Sequence, residues 1–162
     1  MSSESENNVS ERAEKARKVL QDILGYMSVE ADVTATVEGV EQIILTVQSH
    51  RGGLVIGKKG QTLDALQFLV ARIVGRTHPG EGRIMVDADG YRERRAEQLR
   101  VMAHQVAQRV REERVPYAFD PSLNSAERRI VHMELKDEPD LSTRSEGEGD
   151  DRRLVVYPGS GD

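Results

Sequence analysis

The chain has 162 residues, of which 37% are hydrophobic, and it carries a formal net charge of −5 at pH 7. A chain of this length holds one domain of ordinary size, or two small ones, around a modest core. It contains no cysteine, which excludes disulfide bonds, thiol nucleophiles and cysteine-based metal sites. No apolar run approaches the roughly 18 residues that a membrane-spanning helix needs, and the polar, acidic N-terminus is unlike a secretory signal. These features predict a soluble cytoplasmic protein with no membrane partner.

The first quarter of the chain predicts a helix followed by a β-hairpin. Residues 1–9 are mostly Ser, Glu and Asn, and we expect them to be disordered. From Ser10 apolar residues recur every three or four positions, which predicts a helix that stops near Gly25. The runs Ala31–Glu38 and Gln42–Gln48 are rich in β-branched residues and close together, so we expect two hairpin strands.

A glycine-rich stretch then leads into a strongly amphipathic helix and a short strand. The apolar stripe of this helix consists of Leu63, Leu66, Leu69, Val70, Ile73 and Val74. Thr77–Gly82 has the composition of a turn, and Arg83–Asp87 reads as a strand. The predicted order of elements is therefore helix, strand, strand, short helix, glycine loop, helix, strand.

The second half of the chain predicts two more helices and a terminal pair of strands. The third helix begins near Asp89, and its stripe is Leu99, Met102, Val106 and Val110. Val115–Ser122 contains two prolines and reads as a connection or short edge strand. Asn124 and Glu127 fit a helix cap for a fourth helix, Asn124–Leu135. After it, two strands flank a charged glycine-containing loop, and residues 159–162 form a tail.

Positive charge is concentrated in two segments of this acidic chain. Residues 50–76 hold five Lys and Arg side chains against one Asp, and residues 91–114 hold seven against four Glu. The first segment contains the glycine-rich stretch, and the second is the third predicted helix. Such blocks fit either a solvated helix face or a surface that binds nucleic acid, and charge alone does not separate these two interpretations.

The stretch Gly52–Gly60, GGLVIGKKG, resembles two phosphate-binding devices. Read from Gly52, it nearly matches the nucleotide-binding loop G-x-x-x-x-G-K-[ST]. That loop needs a Ser or Thr hydroxyl after its lysine to ligate magnesium. Lys59 occupies this position, and a cation there would repel the metal. A nucleotide hydrolase is therefore kept only as an alternative.

Read from Gly57, the same stretch is a G-x-x-G loop between a short apolar helix and a long one. Glycine at positions 57 and 60 lets the backbone turn sharply and lets a phosphate approach closely. The amino end of the following helix favours an anion, and Lys58 and Lys59 add positive charge. An apolar groove beside such a loop can receive unstacked bases. The candidates to line it are Val55, Ile56, Leu63 and Leu66.

The residues VIGKKGQTLDALQFLV are similar to the signature of KH domains, and the predicted order α-β-β-α-α-β resembles their type II arrangement. The resemblance covers residues 10–88. It implies a fold of the α+β class and binding of about four nucleotides of single-stranded RNA or DNA across the loop and groove.

Arg128 and His132 lie four residues apart on the fourth predicted helix and so share one face. An isolated pair of this kind is often a plain surface feature, but a guanidinium beside an imidazole can also form an anion site. NSAERRIVHMEL followed by STRSEGEGDDRRLVVYP resembles the R-three-H domain, named for an Arg and a His with three residues between them. The resemblance covers residues 89–158 and implies a second contact with single-stranded nucleic acid. Three arginines at the junction are candidates to extend a track of positive charge between the two contacts: Arg92, Arg94 and Arg95.

A type II KH domain closely joined to a small α+β R-three-H domain resembles the bacterial Jag-type (KhpB-like) family. The resemblance implies a non-catalytic RNA-binding protein with a role as RNA chaperone or post-transcriptional regulator, linked to cell shape and cell-wall homeostasis. It also implies a small single-KH (KhpA-like) partner or self-association. Many members carry an extra N-terminal domain, which residues 1–9 are too few to form. A protein-interaction scaffold and a binder of single-stranded DNA remain alternatives.

Catalytic sites find little support in the sequence. The four histidines lack metal-ligand spacing, and Ser145 has no nucleophile-elbow pattern around it. The acidic cluster Asp137, Glu138 and Asp140 is more typical of a solvated turn than of a metal site. We therefore expect no enzymatic activity, no metal and no cofactor.

Overall fold

The computed structural model describes residues 3–39, 42–78 and 82–159, with side chains from residue 7 onward. The chain is of the α+β class, as predicted, and divides into two compact units between Arg92 and Glu93. Parts of three predicted features lie outside the described residues: positions 1–2 of the disordered segment, 79–81 of the turn after the second long helix, and 160–162 of the tail. Within the described residues no helix combines the length and the apolar character that crossing a bilayer requires.

The first unit contains three helices and one three-stranded sheet, in the predicted order. These elements are α1 (Ser3–Tyr26), β1 (Asp32–Glu38), β2 (Gln42–Gln48), α2 (Gly52–Ile56), α3 (Gln61–Thr77) and β3 (Ile84–Ala88). The sheet order is β1-β2-β3. β1 and β2 form the predicted antiparallel hairpin, and β3 pairs with β2 in parallel, with Ile43 opposite Ile84. The parallel pairing is possible because α2 and α3 form a crossover that returns the chain to the end of the sheet at which β2 begins.

Helix α1 begins at Ser3, seven residues before the predicted start. The disorder predicted for residues 1–9 is therefore wrong for the described part of that segment. Extending a helix that already exists costs far less than nucleating one, so a polar segment can be helical without burying anything. The side chain of Asn7 supports the extension by donating a hydrogen bond to Glu11, one turn later, at 3.0 Å.

The core of the first unit lies between α1, α3 and one face of the sheet. Alternate residues of β2, beginning with Ile43 and ending with Val47, are fully buried, as the two-residue period of a half-covered strand requires. Leu20 and Leu24 of α1 are also fully buried. The periodic apolar residues of α1 thus face the core, as the sequence predicted.

The stripe predicted for α3 is narrower in the structure. Leu63, Leu66, Val70 and Val74 are buried, whereas Leu69 and Ile73 are 45% and 42% exposed. Phe68 is 59% exposed, and the guanidinium of Arg72 lies 5.3 Å from its ring centroid. The helix thus carries a second apolar strip that the core of the first unit does not cover.

The second unit contains a three-stranded antiparallel sheet, α5 and all of α4 except its first two residues. The elements are α4 (Tyr91–Glu113), β4 (Tyr117–Ala118), α5 (Ser125–Leu135), β5 (Leu141–Glu146) and β6 (Arg153–Pro158). The sheet order is β4-β6-β5. Its core comprises Leu99, Val106, Val110, Val131 and Leu154, among others. Met102, which the predicted stripe of α4 included, is 38% exposed because two alanines, Ala103 and Ala107, take the buried positions instead.

Helix α5 begins as the sequence predicted. The Asn124 side chain accepts a hydrogen bond from the backbone N–H of Glu127 at 2.9 Å, and the Glu127 carboxylate accepts one from the Asn124 N–H at 3.1 Å. These two bonds form a capping box. The cap fixes the first turn of α5 and with it the direction of the side chains that follow.

The predicted acidic cluster has a structural partner. Arg111 of α4 donates to both oxygens of Asp140, at 2.6 and 2.9 Å, and to Glu138 at 2.5 Å. The bidentate geometry lowers the pKa of the Asp140 carboxyl below its ordinary value, with the hydrogen bond from Arg111 as the main cause. This cluster ties the end of α4 to the turn that precedes β5.

Candidate nucleic-acid interface

The G-x-x-G loop connects α2 to α3 in the predicted position. α2 ends at Ile56, Gly57 follows with φ 71°, and a single 3₁₀ turn covers Lys58–Gly60. Gly60 has φ 81° and immediately precedes α3. Three of the four loop residues, Gly57, Lys59 and Gly60, therefore have positive φ, and only glycine adopts such angles without strain.

Each glycine of the loop also lies where a side chain would collide with a neighbour. A Cβ atom at Gly57 would overlap the hydroxyl of Thr62, and one at Gly60 would lie 2.8 Å from Cε1 of Tyr91. The loop backbone is thus packed closely from beneath. The missing side chains leave room for Thr62 and Tyr91 to pack against the loop backbone.

The amino end of α3 has no side-chain cap. Its N-cap is Gly60, which provides no side-chain acceptor for the first-turn N–H groups. The 17-residue helix directs the positive end of its dipole at the same place. Asp64 in the first turn carries the opposing charge, but it forms an ion pair with Arg92 at 3.0 Å. The arrangement favours a phosphate at the loop.

The two lysines of the loop differ in their surroundings. Lys58 is exposed, whereas Lys59 is half-buried and adopts a left-handed backbone conformation, with φ 51°. A non-glycine residue rarely takes this conformation, since it costs about 1–2 kcal/mol. The surrounding structure therefore fixes the path of the loop backbone at Lys59.

Three of the four apolar residues predicted to line a base-binding groove belong to the core. Val55, Leu63 and Leu66 are buried, and they pack with the sheet residues of the first unit. A buried side chain offers no surface to a base, so their role is to hold the two helices together. Ile56 is half-buried against the core, and Leu54, which the sequence interpretation omitted, is 53% exposed.

Arg92 and Arg95, two of the junction arginines, form specific contacts within the protein. Arg92 donates from Nε to the carbonyl oxygen of Val86 at 2.7 Å and is ion-paired with Asp64. Arg95 donates to Glu127 at 2.7 Å, and both side chains are largely buried. Because Arg92 and Arg95 already neutralise carboxylates, they are poor candidates for the predicted track of positive charge between the two nucleic-acid contacts. Arg94 is exposed.

Arg128 and His132 line a groove of about 500 Å³ in the second unit. Arg128 donates from Nη1 to the carbonyl oxygen of Leu123 at 2.6 Å, which anchors one side of its guanidinium. His132 is hydrogen-bonded through Nδ1 to the hydroxyl of Thr143 on β5. The two residues share one face of α5, as their spacing predicted.

The groove contains three further arginines that the sequence interpretation did not select. The remaining lining residues are Ser125, Arg129, Thr143, Arg144, Ser145, Arg152 and Leu154. Pairing of β5 with β6 places Ser145 opposite Leu154. Arg144 on β5 and Arg152, just before β6, line the same groove. Four guanidiniums, one imidazole and three hydroxyls form a set of donors suited to phosphate oxygens. All three arginines stand in the two segments that resemble the R-three-H domain, but no pattern within those segments singles them out.

Neither site resembles a metal centre. Among the residues that the structure describes, no group of three or more His, Cys, Asp or Glu side chains is arranged to hold an ion. Ser145, considered in the sequence as a nucleophile, lies on β5 in the arginine-lined groove.

Comparison with known proteins matches both units. The family model of the KhpA/KhpB KH domain matches residues 13–87, and that of the R-three-H domain matches residues 97–158. Curated proteins named RNA-binding protein KhpB are similar to the chain. The one from Clostridium symbiosum is 32% identical over 144 residues, which is 88% of this chain and 64% of that protein. The one from Bacillus subtilis (strain 168) is 33% identical over 146 residues, 88% of this chain and 69% of that protein.

A third relative, RNA-binding protein KhpB of Streptococcus pneumoniae serotype 2, is 30% identical over 149 residues. The match covers 92% of this chain but only 45% of that protein. The chain thus spans between about half and two thirds of the length of these relatives, and all three matches run through both units.

Proposed function

The chain belongs to the KhpB family, in which a KH domain precedes an R-three-H domain, and from this premise we propose that it binds single-stranded RNA without catalysis. The observation that carries the proposal is the G-x-x-G loop. It joins a close-packed backbone, an uncapped helix amino end and the exposed Lys58 at one place. The relatives named above are RNA-binding proteins by name. We retain residues 10–88 and 89–158 as the limits of the two domains.

The loop would bind the sugar–phosphate backbone, and the residues above it would contact bases. Phosphates would accept hydrogen bonds from N–H groups at the start of α3 and pair with Lys58 and Lys59. Leu54 and Ile56 provide apolar surface for an unstacked base, in place of the buried residues that the sequence suggested. RNA is recognised mainly in this way, through single-stranded segments whose bases are splayed out.

The arginine-lined groove would form a second, independent contact. Arg128 and His132 would act together with Arg144 and Arg152, since all four line the same groove. A planar guanidinium can donate two parallel hydrogen bonds to one phosphate. Two sites on one chain raise overall affinity when a single strand can reach both, because the second binding event becomes intramolecular.

We propose a role as RNA chaperone or post-transcriptional regulator in the cytoplasm, because contacts with the sugar–phosphate backbone carry no sequence information. The association with cell shape and cell-wall homeostasis rests on the family resemblance alone. Single-stranded DNA is the alternative ligand, because phosphate contacts do not distinguish it from RNA. Fluorescence anisotropy with matched 12-nucleotide single-stranded RNA, single-stranded DNA and duplex RNA tests the proposal. We expect single strands to bind and the duplex to fail, and equal binding of the duplex would contradict it.

The exposed strip on α3 favours a second function, association with another KH domain. Phe68, Leu69 and Ile73 are each more than 40% exposed on one helix face. Asp64 lies near the start of this helix and Arg76 in its last turn. Two such helices packed antiparallel would place each Asp64 opposite an Arg76 and each Phe68 opposite an Arg72. The partner would be a second copy of this chain or a small single-KH protein.

Sedimentation velocity tests this association directly. We expect the wild-type chain, alone or with a single-KH partner, to form a dimer that Phe68→Asp abolishes. RNA affinity per chain should stay unchanged in that variant, since the strip is not part of the loop. Wild-type chains that remain monomeric at every concentration and ignore the partner would contradict the proposal.

A further inference from the structure

The G-x-x-G loop is supported from beneath by a side chain that lies outside the motif. Tyr91, the first residue of α4, is half-buried and packs against the core of the first unit. Its ring edge lies so close to Gly60 that a Cβ there would be 2.8 Å from Cε1, 3.2 Å from the hydroxyl oxygen and 3.4 Å from Cζ. The ring therefore occupies the space that any side chain at position 60 would need.

Residues next to Tyr91 contact α2 and α3, the helices on either side of the loop. The carboxylate of Asp89 lies against Gly52 at the start of α2, where a Cβ would be 2.7 Å from Oδ2. Arg92 is ion-paired with Asp64 in the first turn of α3 at 3.0 Å. The segment 89–92 thus touches the beginning of α2, the loop itself and the beginning of α3.

We propose that Tyr91 is a positioning residue for RNA binding, one that holds the phosphate-binding loop in its binding conformation before the ligand arrives. The inference rests on the proposed function of the loop. Gly60 and Lys59 both have left-handed backbone angles, and for a lysine such angles are unfavourable unless neighbouring contacts impose them. A ring packed under Gly60 imposes them. Binding then does not have to order the loop, which is the physical basis of preorganisation.

The contact geometry distinguishes support from direct binding. The ring carbon Cε1 is nearer to position 60 than the hydroxyl oxygen is. Packing by the ring therefore accounts for the contact, and a phenylalanine would preserve it. A hydroxyl that bound RNA directly would be lost in the same substitution.

Anisotropy titrations of a single-stranded 12-nucleotide RNA with Tyr91→Ala and Tyr91→Phe chains test the proposal. We expect Tyr91→Ala to weaken binding about tenfold, the factor that corresponds to about 1.4 kcal/mol and to the order of the entropy of one freed backbone residue. Tyr91→Phe should stay within roughly twofold of wild type. The dependence of affinity on salt should be the same in all three, since no phosphate contact is removed.

Two controls separate the possible failures. Val33→Ala removes two methyl groups from the core at the edge strand β1, so it reports what lost stability alone does to affinity. Lys58→Asp with Lys59→Asp reports whether the loop binds RNA at all. Unchanged binding in the lysine variant would overturn the function proposed for the loop. Two other results would overturn the positioning role alone, provided that the lysine variant loses binding. One is that Tyr91→Ala weakens RNA binding no more than Val33→Ala does. The other is that Tyr91→Phe weakens RNA binding as much as Tyr91→Ala does.

Discussion

The two basic sites of this chain differ in the groups that provide their positive charge. At the loop, backbone N–H groups and a helix end present the positive charge, and two lysines add to it. In the groove of the second unit, side chains from α5, β5 and the turn before β6 present it. The backbone site depends on glycines at a fixed offset in the sequence. The side-chain site depends on strand register, so its arginines come from positions up to 24 residues apart, from 128 to 152.

The chain carries two kinds of cation, those paired with carboxylates inside the fold and those exposed at the two sites. Arg92 and Arg95 lie in the basic segment around the junction, yet each is paired with a carboxylate and partly or largely buried. Lys58 and Arg144 are exposed beside surfaces that suit phosphates. Substitutions of the first kind should change stability, and substitutions of the second kind should change affinity and its salt dependence.

The largest effect on RNA binding is expected at the backbone site. Lys58→Asp with Lys59→Asp should weaken RNA binding by about a hundredfold or more, two tenfold steps of about 1.4 kcal/mol each. It should also flatten the salt dependence by up to about 1.4 log units per log of salt on single strands. Anisotropy at several salt concentrations measures both.

The matched control for this charge reversal is Lys18→Asp with Lys136→Asp. Both lysines are exposed and lie outside the two sites, and the net charge changes by the same amount. Equal weakening of RNA binding by the two double variants would show that only the net charge matters and that the loop is not an RNA contact.

The next effect is on stability. Glu127→Ala removes the partner of Arg95 and half of the capping box of α5. It should lower the free energy of unfolding of the second unit by about 3–5 kcal/mol, as expected when one member of a largely buried pair is left alone. Urea denaturation measures this change. RNA affinity under native conditions should not move.

Glu97→Ala is the control, since Glu97 pairs with Arg100 on the surface of the same helix as Arg95. Exposed pairs of this kind contribute within about 0.5 kcal/mol. The distinction between structural and binding arginines fails if Glu127→Ala proves as harmless as Glu97→Ala, or if it weakens RNA binding in a folded chain.

A smaller effect is expected from one arginine of the groove. Arg144→Ala should weaken RNA binding about tenfold, or about 1.4 kcal/mol, and reduce the salt dependence by about 0.7 log units. Arg153→Ala removes the same charge from an exposed residue of the neighbouring strand that does not line the groove. Equal losses in the two variants would mean that the groove has no special role.

The smallest effect concerns acid stability. The hydrogen bonds from Arg111 keep the pKa of the Asp140 carboxyl below its ordinary value of 3.8. Because the folded pKa is the lower one, this contribution is complete above pH 3.8 and is lost as the pH falls through the folded value. Asp140→Asn should therefore reduce the loss of stability between pH 5 and pH 2. Denaturation midpoints at both pH values measure this, and an unchanged pH dependence would count against the ion pair.

Local signals in the sequence predicted most of the fold. The period of α1, the cap of α5 at Asn124 and the G-x-x-G loop each depend on residues within four positions of one another, and the two hairpin strands are neighbours in the sequence. The width of an apolar stripe is harder to interpret. Leu69 and Ile73 belong to the same periodic set as Val70 and Val74, and only the packing of α3 decides which of them face the core.

The site was predicted less completely because its details are non-local. The partner of Arg95 is 32 residues away, and that of Arg92 is 28 residues away. No sequence pattern distinguishes such arginines from free ones. Val55 and Leu63 flank the loop in sequence, but proximity to a binding motif does not make a residue accessible, and both are buried.

The most direct test of the account is to follow the backbone amides of the loop while RNA is added. A titration of the ¹⁵N-labelled chain with a single-stranded 12-nucleotide RNA reports each N–H separately by NMR. The account predicts that the amides of Gly57, Gly60 and Thr62 shift, and that they saturate at the same concentration as the anisotropy signal. Saturable RNA binding that leaves these amides unmoved would contradict it.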